Sequence, residues 1–447
     1  MEMPCRKIRG QRRSPTTPVA PRGPIPFLRI PRGRAGLICL GIALVMITAL
    51  QGIAAAGWKS GGKIETFSAF YTQKKAGTDN QYNEVRFRPN ITVFGNDLLF
   101  YGEGDLRIDA LNYDRGYVDD VVDRDWNRKI FGIREAYGEY SRKWLRLRAG
   151  KQVFDWSVTD TISPSDNIAP RDYLDVVEWE RMGVLSISAR LGYDSYMEFV
   201  YIPWFTPSKR PAEGGRWERD LPPGMAYGEQ DLPGRSHGQF VFRAGTVTAG
   251  FDIGVSFYSG YSYSPFYRTE PLSAALLQFT PCYKEETVYA FSLAKEVYGY
   301  NIRAEAGYFD QTGEDRFIQY VAGVDREWAG ILREGDAFYV LLQYSNEIKT
   351  YSSRSLSSDM IDFRRVFNNA VTGRITYAFD SQRRWTLKVK GSYNFSGGDS
   401  LLEPALVWRK DRFEIEGGVD VLSGPANSFW GGYGDNDRIF LKMNIKY

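Results

Sequence analysis

The sequence is poor in the residues that build metal centres, disulfides and hydrolase sites. Its 447 residues include one histidine, His237, and three cysteines, of which only Cys282 lies beyond residue 56. A His-pair metal site and a disulfide within residues 57–447 are therefore excluded. A Ser–His hydrolase is disfavoured, because His237 is the only candidate base and its sequence neighbour Ser236 is not thereby placed for catalysis. We expect no enzyme activity and no cofactor.

Long apolar runs are also scarce, and only Ala35–Gly57 qualifies. Basic residues precede it and Ala54–Ala56 supplies small residues, so we predict a basic leader and signal peptide over 1–56 and one domain over 57–447. An uncleaved anchor is the alternative. Nine Lys/Arg and one acid lie in 1–56, which leaves 48 basic and 53 acidic residues, a net charge of −5. Nothing in that balance suggests nucleic-acid binding.

What the sequence does contain is strict alternation, most plainly in its last ten residues, RIFLKMNIKY. Side chains of a strand point to opposite faces with period two, so this segment has one apolar and one polar face. Such a strand suits the surface of a soluble core, or a membrane barrel whose apolar face meets lipid. The apolar face carries Ile439, Leu441, Met443, Ile445 and Tyr447, and the other carries Phe440, Lys442, Asn444 and Lys446.

Eighteen segments of about ten residues with this pattern follow one another from Lys63 to Tyr447. Their starts are near residues 62, 83, 97, 130, 144, 183, 195, 237, 246, 285, 299, 316, 334, 366, 384, 400, 412 and 437. Short connections (FGND, SRK, GYDS, AGT, DSQRR, KD) follow even-numbered segments, and mostly longer ones follow odd-numbered segments. We predict an all-β fold, a transmembrane antiparallel β-barrel of about 18 strands with short periplasmic turns and long extracellular loops. Trp144, Trp385, Trp408 and Tyr447 beside short turns would form an aromatic girdle.

The terminal IFLKMNIKY resembles the carboxy-terminal signal of outer-membrane β-barrels, which alternates apolar residues and ends on an aromatic. The whole of 57–447 resembles Gram-negative porin-type channels, particularly eighteen-strand substrate-selective and polysaccharide-export barrels. The resemblance implies that Met443, Ile445 and Tyr447 form an assembly signal read by the barrel-assembly machinery. It also implies a cell outer-membrane location, and closure by pairing of the last strand with the first near GKIETFSAFY.

A barrel of this size has a lumen too wide for side chains alone to fill, so the polar strand faces should line water. We predict a charged lumen whose lining selects solutes; a structural role in cross-strand salt bridges, such as Lys442 with Glu414 or Glu416, is the alternative for each residue. Arg303 and Glu305 belong to the wider inward-facing set. The pore-lining residues we single out are Arg86, Arg88, Glu103, Asp105, Arg107, Arg146, Arg148, Arg374, Lys388 and Lys390.

The most unusual connection is Gly150–Arg181, which is long, acidic and interrupted by Pro164 and Pro170. By resemblance to porins, whose loop after an early strand folds inward, we predict that it narrows the pore. An ordered extracellular loop is the alternative, and the Pro- and Gly-rich loop 205–236 is the rival for the constriction. The candidate constriction residues are Asp160, Asp166, Arg171 and Asp172.

The expected function is therefore passive passage of small hydrophilic solutes through a charged lumen. An export conduit for a polymer, a barrel sheath of an electron-transfer complex, or a non-conducting adhesive barrel remain alternatives. Expected partners are outer-membrane lipid and lipopolysaccharide, with a homo-oligomer or a periplasmic partner left open. Divalent cations could join lipopolysaccharide to one acidic loop, although a solvated loop is the simpler interpretation. That loop contains Asp114, Asp119, Asp120, Asp123 and Asp125.

Overall fold

The structure, a computed structural model, describes residues 57–109, 118, 121–126, 128–168, 170–211, 214–219, 224–234, 238–273, 276–352 and 363–447. The predicted signal peptide lies outside these residues, as do Asp114, Asp119, Asp120 and His237. No helix within the described ranges is long and apolar enough to cross a membrane.

The described residues fold into strands joined by turns and loops, with one short 3-10 helix at Gly431–Asn436. Eighteen strands form one sheet. They are β1 Gly57–Tyr71, β2 Gln81–Phe94, β3 Leu98–Asp109, β4 Phe131–Arg142, β5 Leu145–Gln152, β8 Val184–Gly192, β9 Tyr196–Ile202, β11 Gln239–Thr248, β12 Phe251–Tyr261, β15 Glu285–Val297, β16 Tyr300–Gln311, β17 Arg316–Ala329, β18 Ala337–Tyr351, β19 Ala370–Ala378, β20 Trp385–Asn394, β21 Asp399–Lys410, β22 Phe413–Ser423 and β23 Arg438–Lys446. The others lie in loops: β6 Arg171–Asp172, β7 Glu180–Arg181, β10 Met225–Tyr227, β13 Phe266–Ser273 and β14 Leu276–Cys282.

The large sheet closes on itself. Each of its strands pairs antiparallel with its neighbours, and β23 pairs with β1 from Lys446 opposite Lys63 to Arg438 opposite Tyr71. Closure leaves no strand edge, which is what a sheet needs where lipid offers no hydrogen bonds. The prediction of a closed 18-strand antiparallel barrel is confirmed, including the pairing of the last strand with GKIETFSAFY.

Connections at the two ends of the barrel differ in length. One end carries connections of two to seven residues; the other carries the long loops, including residues 153–183 and 203–238. The predicted turn AGT is wrong, because β11 continues to Thr248 and the turn is Ala249–Gly250, with φ of 50° and 75°. Positive φ at both residues gives a two-residue turn whose twist matches that of the strands.

The outer face of the barrel is apolar. Alternate residues along many of the strands are exposed and hydrophobic, as Val85, Phe87 and Ile91 are on β2, while the intervening Arg86 and Arg88 are buried inside. Trp144 and Trp385 are exposed beside short turns, and Trp385 pairs with Trp408 across β20 and β21. An apolar outer band edged by aromatic residues is the surface that a lipid bilayer solvates.

Loops fill much of the interior at the long-loop end. One apolar cluster packs Phe154, Trp156 and Ile168 of the 153–183 loop against inward residues of the neighbouring wall such as Val200 and Val288. A second packs Trp217 and Trp430 from two further loops against the wall near the seam, where β23 pairs with β1. Burial of these apolar side chains supplies a hydrophobic driving force for holding loops inside a water-filled barrel.

Candidate functional site

The segment between β5 and β8, residues 153–183, crosses the lumen. Glu305 on β16 accepts hydrogen bonds from the backbone N–H groups of Val158 and Thr159 (2.6 and 2.7 Å) and from Ser163 Oγ (2.6 Å). Thr161 Oγ1 then contacts Thr372 Oγ1 on β19 at 3.1 Å. Because β19 is nine strands from β5 in either direction around the ring, this half of the loop reaches the diametrically opposite wall.

The second half of the segment returns along the walls on either side of the seam, held by carboxylates. Asp175 pairs with Arg438 and Glu178 with Lys442, both on β23. Glu180 accepts a hydrogen bond from Arg107 Nη2 at 2.8 Å, and it also forms ion pairs with Arg86 and Arg88 on β2. Glu416 lies opposite Lys442 across β22 and β23, as the strand pattern suggested, but the close ion pairs are Lys442 with Glu178 of the loop and Lys388 with Glu416.

Three carboxylates of the segment, Asp172, Glu178 and Glu180, have pKa values lowered from their ordinary range. Burial alone would raise the pKa of Glu180, but the nearby guanidinium groups of Arg86 and Arg107 outweigh it and hold the pKa at about 2. Burial likewise opposes ionisation of Asp172 and Glu178, yet Arg128 lowers the pKa of Asp172 and Lys442 lowers that of Glu178. The ion pairs of Glu180 in particular should therefore persist well into acid.

The four candidate constriction residues have two different environments. Asp160 is about a third exposed and faces Arg303 (3.2 Å) and Arg374 (3.6 Å) on the opposite wall. Asp166 has no exposed side-chain area and accepts from Arg181 Nε at 2.9 Å. Burial raises the pKa of Asp166, against the lowering effect of Arg181.

The other two candidates, Arg171 and Asp172, are adjacent but point to different partners. Asp172 is buried and accepts from Arg128 Nε at 2.9 Å, with Arg107 Nη1 at 3.7 Å. The guanidinium of Arg171 stacks on the Trp179 ring at 4.4 Å and donates to Tyr173 Oη at 3.4 Å.

The predicted pore-lining residues also divide into two sets. Arg86, Arg88 and Arg107 are buried in the network around Glu180, together with Asp105. The remaining predicted residues contact partners outside that network. Their partners are Arg134 for Glu103, Glu139 for Arg146 and Arg148, Asp160 for Arg374, Glu416 for Lys388 and Glu403 for Lys390.

The rival loop, 203–238, enters the mouth of the barrel nearer its long-loop end. Arg216 donates to the carbonyl oxygens of Gln73 (2.5 Å) and Asp435 (2.6 Å), on segments beside the seam. Arg219 donates to the carbonyls of Ser428 and Phe429 at 3.0 and 2.7 Å. This segment therefore bridges the mouth, while residues 153–183 cross the lumen.

Sequence reasoning missed Glu178, Glu180 and Arg438 as anchors. Nothing in the local sequence marks them, since each of these loop-to-wall pairs joins residues more than 70 positions apart and forms only when the barrel closes. Two of the five residues of the acidic loop are described in ion pairs, Asp123 with Lys209 and Asp125 with Lys129. The described residues hold no group of three or more His, Cys, Asp or Glu that could bind a metal ion.

A closed antiparallel barrel with an apolar exterior and an ionic, partly loop-filled interior is stable only where lipid surrounds it. The fold is that of an outer-membrane type β-barrel. The barrel's own pairing and surface carry that assignment.

Comparison with known proteins gives distant resemblances. No family model matches the chain, and no curated protein matches it. Among solved structures, a triple mutant of Rhodopseudomonas blastica porin matches with a TM-score of 0.43 and 12% identity, over 88% of this chain and 100% of the porin. OmpT, an outer membrane protein of Vibrio cholerae in its trimer form, matches with a TM-score of 0.43 and 8% identity, over 88% and 99% of the two chains.

Proposed function

We propose that this barrel is a porin-like channel that passes small hydrophilic solutes through an eyelet beside the 153–183 loop. The observation that carries the proposal is the pair Arg374 and Lys390. They are direct cross-strand partners on β19 and β20, and their side chains remain 36% and 43% exposed. Like charges opposite each other destabilise a sheet, so an exposed pair of this kind is better explained by contact with water and passing solutes.

The eyelet has charges of both signs around it. Asp160 of the loop faces Arg374, and Glu403 lies 3.8 Å from Lys390. Glu178 is a third exposed, and Lys390 is among the cations that lower its pKa. Opposed charges across a narrow passage set up a local field that favours some ions and orients dipolar solutes.

Different residues of the one loop would then line the eyelet and hold the loop in place. We assign Asp160 to the eyelet surface. Asp166, Arg171 and Asp172 lie deeper in the loop's own packing, where Asp166 and Asp172 serve to hold the loop in place. Asp166→Asn and Asp172→Asn would accordingly change loop stability more than ion selectivity.

A non-conducting adhesive barrel is the second candidate, and the bridging of the mouth by Arg216 and Arg219 favours it. An export conduit or an electron-transfer sheath would also have a blocked or ligand-dependent lumen. Planar-bilayer recordings of the refolded protein separate these functions. Discrete open channels whose reversal potential moves with ion substitution support the porin-like function, whereas silent insertions would overturn it.

The same proposal includes the partners and processing expected of such a barrel. Residues 1–56 would be removed at export, and the barrel-assembly machinery would recognise the end of β23, with Met443, Ile445 and Tyr447. Lipopolysaccharide would surround the long-loop end, and homo-oligomers or a periplasmic partner are compatible with the barrel. Catalysis and nucleic-acid binding are not part of the proposal.

A further inference from the structure

The rim of the barrel at the end with short connections has its charge divided between two arcs. Four consecutive turns, those joining β8 to β9, β11 to β12, β15 to β16 and β17 to β18, form one arc. With two flanking residues on each side, these turns contain one cation, Arg333. Their acids are Asp194, Asp252, Glu296, Glu334 and Asp336. We call this part of the rim the acidic arc.

The rest of the rim, from β19 through the seam to β5, is basic. Two of its acids are already engaged, since Glu414 pairs with Arg409 and Asp380 accepts hydrogen bonds from backbone N–H groups of its own turn. Six cations here are exposed and make no ion pair with another described residue: Lys59, Lys143, Arg384, Lys410, Arg412 and Lys446. We call this part of the rim the basic arc.

Tryptophan accompanies four of the six cations. The pairs are Trp58 with Lys59, Lys143 with Trp144, Arg384 with Trp385, and Trp408 with Lys410. Lys410 has the parity of Trp408 and of Leu406, whose side chain is exposed on the outer face. Lys59 Nζ lies 5.7 Å from the centroid of the Phe94 ring, which is also exposed. Unpaired cations and outward aromatic rings therefore meet where the apolar band of the barrel ends.

A surface of this kind fits an amphiphile with an anionic head. The cations attract a phosphate group, and the rings and the apolar band below them contact acyl chains. Long Lys and Arg side chains can reach the phosphate level while their methylene stems stay on the apolar surface. A polyanion without acyl chains, such as a glycan, would use the cations but leave the rings without a partner. The combination favours a lipid.

We propose that the basic arc selects anionic glycerophospholipids, such as phosphatidylglycerol, from the leaflet at the short-connection end of the barrel. Lys59, Lys143, Arg384 and Lys410 bind the phosphate groups, and the neighbouring tryptophans contact the upper acyl chains. The acidic arc repels the same headgroups, so the bound lipid is confined to one side of the barrel. The inference concerns the outer rim and is independent of conduction through the lumen.

The test is native mass spectrometry of the refolded full barrel in a neutral detergent with equal amounts of phosphatidylglycerol and phosphatidylcholine of identical acyl chains. The first lipid retained should be phosphatidylglycerol about five times as often, because one cation near an anionic headgroup contributes roughly that factor. The preference should fall as the ammonium acetate concentration rises, since the contacts are exposed to solvent. Replacing Lys59, Lys143, Arg384 and Lys410 together by Gln should abolish the preference.

The matched single variants are Lys410→Gln on the basic arc and Arg333→Gln on the acidic arc, both at exposed cations of the same rim. Only Lys410→Gln should weaken the preference, and heat-modifiability on gels shows that each variant is folded. Equal retention of the two lipids by the unchanged barrel would overturn the proposal, as would equal effects of the two single variants. If the fourfold variant folds and keeps the preference, the proposal is likewise wrong. Equal lipid retention together with co-sedimentation on peptidoglycan sacculi would assign the arc to a polyanionic glycan instead.

Discussion

Replacing Glu305 should release the crossing segment from the far wall. Its carboxylate is 2% exposed and accepts six hydrogen bonds from the loop, three at each oxygen. They come from Val158, Thr159, Ser163 and Ser165. Removing this acceptor breaks all six of these hydrogen bonds, while the barrel strands keep their own backbone pairing.

The magnitude follows from how buried charge-assisted hydrogen bonds behave when one partner is removed. Individual bonds to a charged acceptor contribute about 1.5–3 kcal/mol, but they are not additive around one group. Breaking a buried charged contact typically costs about 3–5 kcal/mol, so we expect Glu305→Ala to shift the docked-to-undocked ratio about a thousandfold. Glu305→Gln keeps one acceptor and turns an amide towards the other donors, and a shift of about thirtyfold is expected.

Undocking should raise mean single-channel conductance and add slow current noise, and it should expose residues 158–165 to protease in the folded barrel. Glu139→Gln is the control, because Glu139 is a lumen carboxylate whose partners, Arg146 and Arg148, lie on the wall. Gly307→Val is an independent route, since a Cβ at Gly307 would lie 3.1 Å from Pro164 of the loop. If Glu305→Ala and the control give the same conductance, noise and cleavage, Glu305 does not hold the loop.

Further predictions concern the ion selectivity of the eyelet, assembly at the seam, and the pH dependence of loop docking. Asp160→Asn should shift ion selectivity towards anions with little change in assembly; an unchanged reversal potential would remove Asp160 from the eyelet. Gly62→Ala should impair assembly and heat-modifiability, because a Cβ there would overlap the Tyr447 ring and the Arg88 carbonyl oxygen. The pKa of Glu180 is lowered from 4.5 to about 2. The Glu180 carboxylate therefore stabilises loop docking fully above pH 4.5, and this stabilisation is lost as the pH falls through about 2. Protease sensitivity of the loop that rises already near pH 6 would contradict this.

The barrel could be predicted from the sequence because the alternation that it requires is local and is repeated in every strand. Inward and outward residues must alternate along every strand, so a last strand starting near residue 437 and pairing with the first could be predicted. The structure has it as Arg438–Lys446, opposite β1. The same rule placed a turn wrongly near Val247–Phe257. Apolar residues on both sides of the Ala249–Gly250 turn alternate as they would in one continuous strand. A two-residue turn reverses which parity faces outward, and only chain reversal reveals it.

The candidate site was accessible only in part. Length, acidity and two prolines single out residues 150–181, and no local rule says which of the acids meets which wall. Asp160 is partly exposed beside Arg303 and Arg374. It is placed there because Glu305, 146 residues away in sequence from Thr159, binds the neighbouring turn. Asp172 is buried because Arg128, from a different loop, closes over it. These partners meet only when the barrel closes, so they cannot be predicted from the pattern of one strand at a time.

Closure also decides which of the wall charges a solute can feel. The returning half of the crossing segment neutralises and covers Arg86, Arg88 and Arg107, so these arginines act on the loop. Arg374 and Lys390 stay partly exposed, and the loop's close contact with this pair is Asp160 at 3.6 Å from Arg374. Because a buried, paired charge produces little field outside its pair, selectivity should follow the few cations that the loop leaves uncovered rather than the total charge of the wall.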